Sequence, residues 1–358
     1  MPSLIRSVID TAALRHNLGV ARTRAAGARV MAVIKANAYG HGVLQSAKAL
    51  AEADGFAVAR LDEGLALRTA GLANRVLLLE GVFSPEQLAL AAQQRFELMV
   101  HSPEQLDLLD AFAGAEPIRA WIKVDTGMNR LGFRPEEFAA AHARLARNPR
   151  VAPEPALVTH LASADDRRDP KTAQQLEQFK SVTEGLVGAR SIANSAAVLA
   201  WPATRGDWVR PGLMLYGLSP FPSGSGVDLG LRAAMSLQSE VIAVKPVKAG
   251  ETVGYGGAWR ADRDTRIAVV AAGYGDGYPR STASGAPVQV NGRRAPLVGR
   301  VSMDMITVDV TDLPAVSVGD PVVLWGEGVP AEEIAQHAGT VAYELICGVS
   351  QRVAHEFR

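Results

Sequence analysis

A run of apolar residues, Val30-Met31-Ala32-Val33-Ile34, stops at Lys35 and leads into Ala36-Asn37-Ala38-Tyr39-Gly40-His41-Gly42. Such a run reads as a strand buried on both faces in a parallel sheet. Lys35 then stands at the carboxyl end of that strand, where its ammonium loses water. Desolvation disfavours the charged form, and a lysine tuned in this way forms imines with carbonyl compounds. Taken alone, the same residue equally describes a strand-end side chain that stretches its head into solvent. Other polar residues recur after apolar runs, however. Lys123, Asp125 and Arg130 lie in Trp121–Phe133, with Ile122 and Val124 on the opposite face of the strand. His160 ends a later run, Asn194 and Ser195 the next, and Arg210 the last, just before Pro211-Gly212-Leu213.

The elements that must position these residues alternate. Apolar runs at Val30–Ile34, Phe56–Ala59, Val76–Leu79, Glu97–Val100, Ala120–Val124, Ala156–His160, Ser191–Asn194 and Asp207–Arg210 are separated by amphipathic segments. Helix starts are marked by Asp10, by Ser84-Pro85-Glu86-Gln87, by Ser102-Pro103-Glu104-Gln105 and by Pro135-Glu136-Glu137. About eight such units predict an α/β fold, a closed parallel (β/α)8 barrel, with a doubly wound open sheet as the alternative. In a barrel the strand ends converge on one mouth, and the loops after the last two strands commonly hold a phosphate. Ser195 offers a hydroxyl there, and Gly212 and Leu213 offer backbone N–H groups. An imine-forming lysine beside a phosphate cradle suggests pyridoxal phosphate.

Beyond Phe221-Pro222-Ser223-Gly224-Ser225-Gly226 the helical period fades. Ser239–Val247, Arg266–Ala272, Val288–Val290 and Met305–Val310 read as strands, Asn291-Gly292 as a hairpin turn, and one short helix follows Pro330. The division expected is an extended segment over 1–9 packing with the C-terminal domain, a barrel over 10–231 and a mostly antiparallel β domain over 232–358. Composition fits a globular protein, with 48% hydrophobic and 21% charged residues in a chain of 358. Basic and acidic residues balance at 37 each, and without a basic stripe nucleic acid is not an expected partner. A single cysteine, Cys347, no signal-like N-terminus and no membrane-length apolar run point to the cytoplasm. No metal-ligand spacing stands out among the seven histidines.

Val33–Gly42 is similar to the lysine motif of alanine racemases. Lys123–Phe133, Trp208–Gly217, Val253–Gly256, Gly273–Gly277 and Gly299–Asp304 resemble further segments of that family in the same order, essentially end to end. The resemblance implies a barrel plus a β domain, and a homodimer in which each C-terminal domain completes the partner's active site. It implies pyridoxal 5'-phosphate held as an aldimine on Lys35, and alanine as substrate. Tyr39, Ser195, Gly212, Leu213 and Tyr343 would bind the phosphate, with Asn194 nearby. Arg210 would face the pyridine nitrogen, Arg130 the phenolic oxygen, and His160 would link Arg210 to the second catalytic residue, Tyr255. Tyr255, Arg130, Met303 and Asp304 would meet the substrate, and Asp165, Arg280 and Arg300 would line its approach. The lysine matching Lys123 would be open to carbamylation. One departure is Arg352-Val353-Ala354, where the family often carries a proline after the valine.

Racemisation removes a proton from one face of the α-carbon and returns one to the other, which calls for two acid/base groups. Lys35 would serve one face and Tyr255 of the partner subunit the other. A broad-specificity racemase is the nearest alternative. A non-enzymatic pyridoxal-phosphate carrier would not need 232–358, and a related decarboxylase would be expected to present an acid at position 210.

Overall fold

The structure, a computed structural model, describes residues 4–358; Met1–Ser3 lie outside the described residues. Parallel strands Arg29–Val33, Gly55–Val58, Val76–Leu78, Glu97–Val100, Ala120–Lys123, Ala156–Val158, Arg190–Ser191 and Trp208–Val209 close into a barrel. Closure is made where Arg29 and Val30 pair with Trp208 and Val209. The middle strands are buried at every residue, which is why they read as unbroken apolar runs. The last two strands are shorter than their apolar runs. Ladder pairing gives way there to single bonds such as Arg210 N–H to Ala193 O (2.9 Å), because the chain turns outward into loops.

Local chemistry sets the helices around the barrel. The Asp10 carboxylate accepts from the N–H groups of Ala12 and Ala13 at 2.8 and 3.0 Å. Gln87 N–H donates to Ser84 Oγ, while the Gln87 side chain accepts from Phe83 N–H, one residue before the cap. The matching Ser102 makes no cap bond. Its partner Gln105 is buried instead, accepting from His101 N–H and donating to Glu80 O.

At the amino-terminal end of the barrel Glu97 is only 2% exposed. Arg75 clasps it at 2.5 and 2.9 Å, and Trp121 Nε1–H donates to it at 2.7 Å. This pair, buried on the Glu97 side and partly exposed on the Arg75 side, closes the end opposite the strand tips.

The remaining chain forms a mostly antiparallel sheet organised by the 13-residue strand Met235–Val247. That strand pairs with Thr265–Val270, Pro321–Trp325 and Arg6–Ile9. Arg6–Ile9 lies between it and the last strand, Ala354–Phe357, so both described chain ends share one sheet. Ala354, in the place of the family's frequent proline, opens that last strand opposite Arg6. Val290 pairs with Arg293 across Asn291-Gly292, whose φ of 51° and 76° make the expected tight turn. Two helices, Ala331–Ala338 and Ala342–Cys347, follow Pro330 where the sequence suggested one. The second is a single short stretch that packs on the Lys35 turn, a tertiary role that leaves little periodicity to read. Among the described residues no helix is long and apolar enough to cross a membrane.

Candidate active site

A cavity of about 640 Å³ opens at the carboxyl ends of the barrel strands. Lys35, Tyr39, Lys123, Arg130, His160, Asn194, Ser195, Arg210, Gly212, Leu213 and Tyr343 all line it. Lys35 is half-buried there, behind fully buried Ile34.

The turn after Lys35 is left-handed. Ala36, Asn37, Ala38 and Tyr39 have φ of 52–54° although none is glycine. Each such residue costs roughly 1–2 kcal/mol relative to ordinary helical backbone, so surrounding contacts must hold the turn. Asn37 Oδ1 accepts from Val43 N–H at 2.8 Å, and the Glu63 carboxylate accepts from Ala36 N–H at 2.6 Å. Gly40 lies so close to the helix Ala342–Cys347 that a Cβ would stand 2.1 Å from Ile346 O. The turn delivers the Tyr39 ring against Tyr216, with centroids 4.8 Å apart, and Tyr216 Oη donates to Val33 O at 3.0 Å.

Across the cavity Asn194 caps the helix Ser195–Ala200, accepting from Ala197 N–H at 3.1 Å. Ser195 Oγ accepts from the N–H groups of Gly212 and Met214 at 2.9 and 3.3 Å. A Cβ at Gly212 would stand 2.5 Å from the Tyr39 hydroxyl. Bare backbone, two hydroxyls and a helix start therefore meet at one point, the donor set that suits a phosphate. Tyr343 approaches from the C-terminal helix, its ring 6.1 Å from that of Tyr39.

Arg210 is 5% exposed. It donates to Ser191 Oγ at 2.5 Å, to Thr159 O at 2.7 Å and to His160 Nδ1 at 3.4 Å. Arginine carries donors only, so Nδ1 of His160 is the bare nitrogen and Nε2 bears the proton. Burial holds the His160 imidazole well below its ordinary range, and Arg210 and Lys123 push the same way. The ring is neutral. Burial lowers Lys123 to about 8, followed by repulsion from Arg210 and Arg130. Arg210 itself comes down to about 10 through burial. The Tyr39 phenol is raised by burial, and Tyr343 rises to about 12 through burial and then the nearby Asp165. Asp125 turns away from the cavity and accepts from Gly127, Met128 and Asn129 N–H groups. A cavity walled by Lys35, Lys123, Arg130 and Arg210 thus favours anions.

The C-terminal candidates stand elsewhere. Tyr255 is 69% exposed on a glycine-flanked turn and does not line the cavity of its own chain, nor do Met303 and Asp304. Asp304 is held by Arg352 Nη2 at 2.8 Å, and Met303 O accepts from Gly275 N–H at 2.8 Å. Asp165, Arg280 and Arg300 are exposed and outside that lining.

Two site-supporting residues escaped sequence reasoning. Gln175, 1% exposed, donates to His160 O and to Thr126 Oγ1 and accepts from Ala162 N–H. Nothing in its helix distinguishes it beforehand. Glu63 carries a faint signal as an acid in the first turn of the helix Leu61–Thr69. Among the described residues no group of His, Cys, Asp and Glu is arranged to hold a metal ion.

The family models for the alanine racemase N-terminal domain and C-terminal domain match residues 9–220 and 234–357. The chain is 50% identical over 349 residues to the alanine racemase of Shewanella baltica (strain OS185), covering 98% of each. It matches the crystal structure of biosynthetic alanine racemase from Pseudomonas aeruginosa with a TM-score of 0.97 and 47% identity over 100% of both chains. The alanine racemase structure from Acinetobacter baumannii gives a TM-score of 0.93 at 38% identity, again over 100% of both. With both family models matched along nearly its whole length and half of its residues shared with a curated relative, the chain belongs to the alanine racemase family.

Proposed function

We propose that the protein interconverts L-alanine and D-alanine with pyridoxal 5'-phosphate, using Lys35 and Tyr255 of the partner subunit as its two acid/base groups. The observation that carries this reading is the cavity's division of labour: an amine on one wall, a glycine-floored N–H cradle on another, and cations between. The close approach of the Tyr39 hydroxyl to Gly212, which a Cβ would block, brings polar groups together in support of a phosphate held by Ser195, Tyr39, Tyr343 and the backbone of Gly212 and Leu213. Asn194 would keep the helix start in place. When bound, the cofactor would delocalise the electron pair left on the α-carbon as its proton departs.

The residues of this chain supply the rest. Lys35 would bind the cofactor and, once displaced by the substrate amine, hold or deliver a proton on one face of the α-carbon. Arg210, a buried cation, would face the pyridine ring and disfavour a proton on its nitrogen. Neutral His160 would turn its Nε2–H toward the phenol of Tyr255 of the partner subunit and stabilise the phenolate. Arg130 would neutralise the cofactor's phenolic oxygen and the substrate carboxylate, with Met303 and Asp304 of the partner subunit closing the substrate side. Lys123, partly uncharged near neutral pH, is suited to carbamylation, which would place an anion beside Arg130. Asp165, Arg280 and Arg300 would line the approach. Exposure of Tyr255, Tyr274, Met303 and Met305 supports a dimer in which this surface is covered.

The test is borohydride reduction of the purified protein, peptide mapping of the fixed label and an alanine racemisation assay in D2O. The reading predicts label at Lys35, loss of activity and solvent deuterium in both enantiomers. Label on another lysine, or racemisation that survives reduction, would overturn it.

A further inference from the structure

We infer that Glu63 is a positioning residue for Lys35, an inference that rests on the proposed role of Lys35 as cofactor anchor. Glu63 belongs to the helix Leu61–Thr69, after the second barrel strand, and its carboxylate reaches back to the ends of the first two strands. One oxygen accepts from Ala36 N–H at 2.6 Å. The other accepts from Ala59 N–H at 2.8 Å and Arg60 N–H at 3.2 Å. The Ala36 N–H belongs to the peptide unit that begins at the Lys35 carbonyl, so the carboxylate fixes the plane in which Lys35 ends. The Ala59 and Arg60 groups fix the carboxylate to the end of the neighbouring strand, Gly55–Val58.

This bracket sits where the backbone most needs one. Lys35 is the last residue before four left-handed, non-glycine residues. A chain forced into that region returns to ordinary φ unless its polar groups are held in place. Ala36 is exposed, and Glu63 is the acceptor that its N–H meets. An exposed, strained amide has no hydrophobic contact to keep it still; a charged acceptor at 2.6 Å does. Glutamine cannot replace the carboxylate here. It presents one acceptor oxygen and one NH2, so either Ala36 or the Ala59/Arg60 pair would face a donor. The side chain does not line the cavity; it acts through the lysine's backbone.

The experiment compares the full-length wild type with Glu63→Gln and Glu63→Asp, each freed of bound cofactor with hydroxylamine and then given pyridoxal 5'-phosphate. Imine formation at Lys35 is followed by absorbance across pH and confirmed by borohydride trapping and peptide mapping. Glu63→Gln should slow imine formation by about tenfold, the scale set by one unsatisfied backbone donor, at a temperature where both proteins are fully folded. Glu63→Asp, which keeps both acceptors, should recover part of that rate. Hydrogen exchange supplies a second readout: the Ala36 amide should be protected in the wild type and should exchange freely in Glu63→Gln. Equal rates and equal pH profiles in wild type and Glu63→Gln would overturn the inference. If Glu63→Gln fails to fold, an unprotected Ala36 amide in the wild type would overturn it alone. If the wild type gives no label at Lys35, the anchor role falls instead, while Ala36 protection still decides whether the bracket exists.

Discussion

Replacing Lys123 by Met should stabilise the protein at neutral pH, although lysine is the native residue. Lys123 is 8% exposed among Arg210, Arg130 and Lys35, and burial with repulsion brings it from 10.5 to about 8. That gap corresponds to roughly 3 kcal/mol at about 1.36 kcal/mol per pH unit. Between pH 8 and 10.5 the unfolded chain binds a proton at Lys123 that the folded chain has released, so stability rises with pH across that window. Below about pH 8 both states carry the proton and the full cost of the buried cation is present. Above 10.5 neither does, and the cost is gone. Lys123→Met removes the cation and keeps most of the volume. It should therefore gain up to ~3 kcal/mol at pH 7, with the gain fading to nothing above pH 10.5. The assay is urea denaturation of both proteins, cofactor-free and in carbonate-free buffer, over that pH range. A gain that does not change with pH would mean that packing rather than charge is responsible. No gain at pH 7 would mean that the cavity solvates the ammonium, and the argument from burial would fail. Bicarbonate should stabilise the wild type and leave Lys123→Met unchanged, since only a neutral amine can be carbamylated, and about a tenth of Lys123 is neutral at pH 7.

Tyr255→Phe should lower racemisation by about 10²–10⁴-fold, the usual worth of a positioned acid/base group, while leaving cofactor labelling at Lys35 and the elution volume of the assembly unaltered. A turnover unchanged in both directions would remove the phenol from the reaction. Ser195→Ala strips an acceptor from the Gly212 and Met214 N–H groups and a hydroxyl from the cradle; cofactor affinity by equilibrium dialysis should fall about tenfold or more, and an unchanged affinity would move the phosphate elsewhere. Glu97→Ala leaves Trp121 Nε1–H without its acceptor and frees Arg75, whose guanidinium is partly exposed and can turn to water, and should cost about 1–3 kcal/mol by thermal unfolding. Because Glu97 lies at the far end of the barrel, activity per folded molecule should stay constant. A loss of activity at full stability would contradict that placement.

The barrel was legible because its strands are buried on both faces, and burial on both faces writes itself into sequence as an unbroken apolar run. Asp10, Ser84 and Asn291-Gly292 were legible because a cap or a tight turn is decided within a few residues. Ser102 repeats the signature of Ser84 and yet makes no cap bond, although Gln105 accepts from His101 N–H as Gln87 does from Phe83 N–H. The left-handed turn after Lys35 left no trace, because the residues in it are Ala36, Asn37, Ala38 and Tyr39 rather than glycines. What holds that turn comes from far along the chain: Glu63 is 27 residues from Ala36, and Ile346 lies in the last helix. Residues that end barrel strands could be read as a group, since topology alone brings them to one mouth. Tyr255, Met303 and Asp304 carried no such geometric signal and were reached only through resemblance.

The charge arrangement links these observations. Lys35, Lys123, Arg130 and Arg210 surround His160, and together with burial they keep its imidazole neutral. Were His160 protonated, both ring nitrogens would be donors and the contact with Arg210 at 3.4 Å would set donor against donor. The neutral ring resolves that conflict by presenting bare Nδ1 inward and Nε2–H outward. Gln175, bonded to His160 O, and Thr159 O, bonded to Arg210, hold the two side chains in that relation from the backbone. A ring N–H backed by a buried cation lowers the pKa of an acid placed against it by favouring its anion, and an ammonium would gain nothing there. On the proposed reading, in which that anion is the phenolate of Tyr255 of the partner subunit, activity is expected from the assembled dimer and not from an isolated subunit, because Tyr255 is exposed and outside the cavity of its own chain.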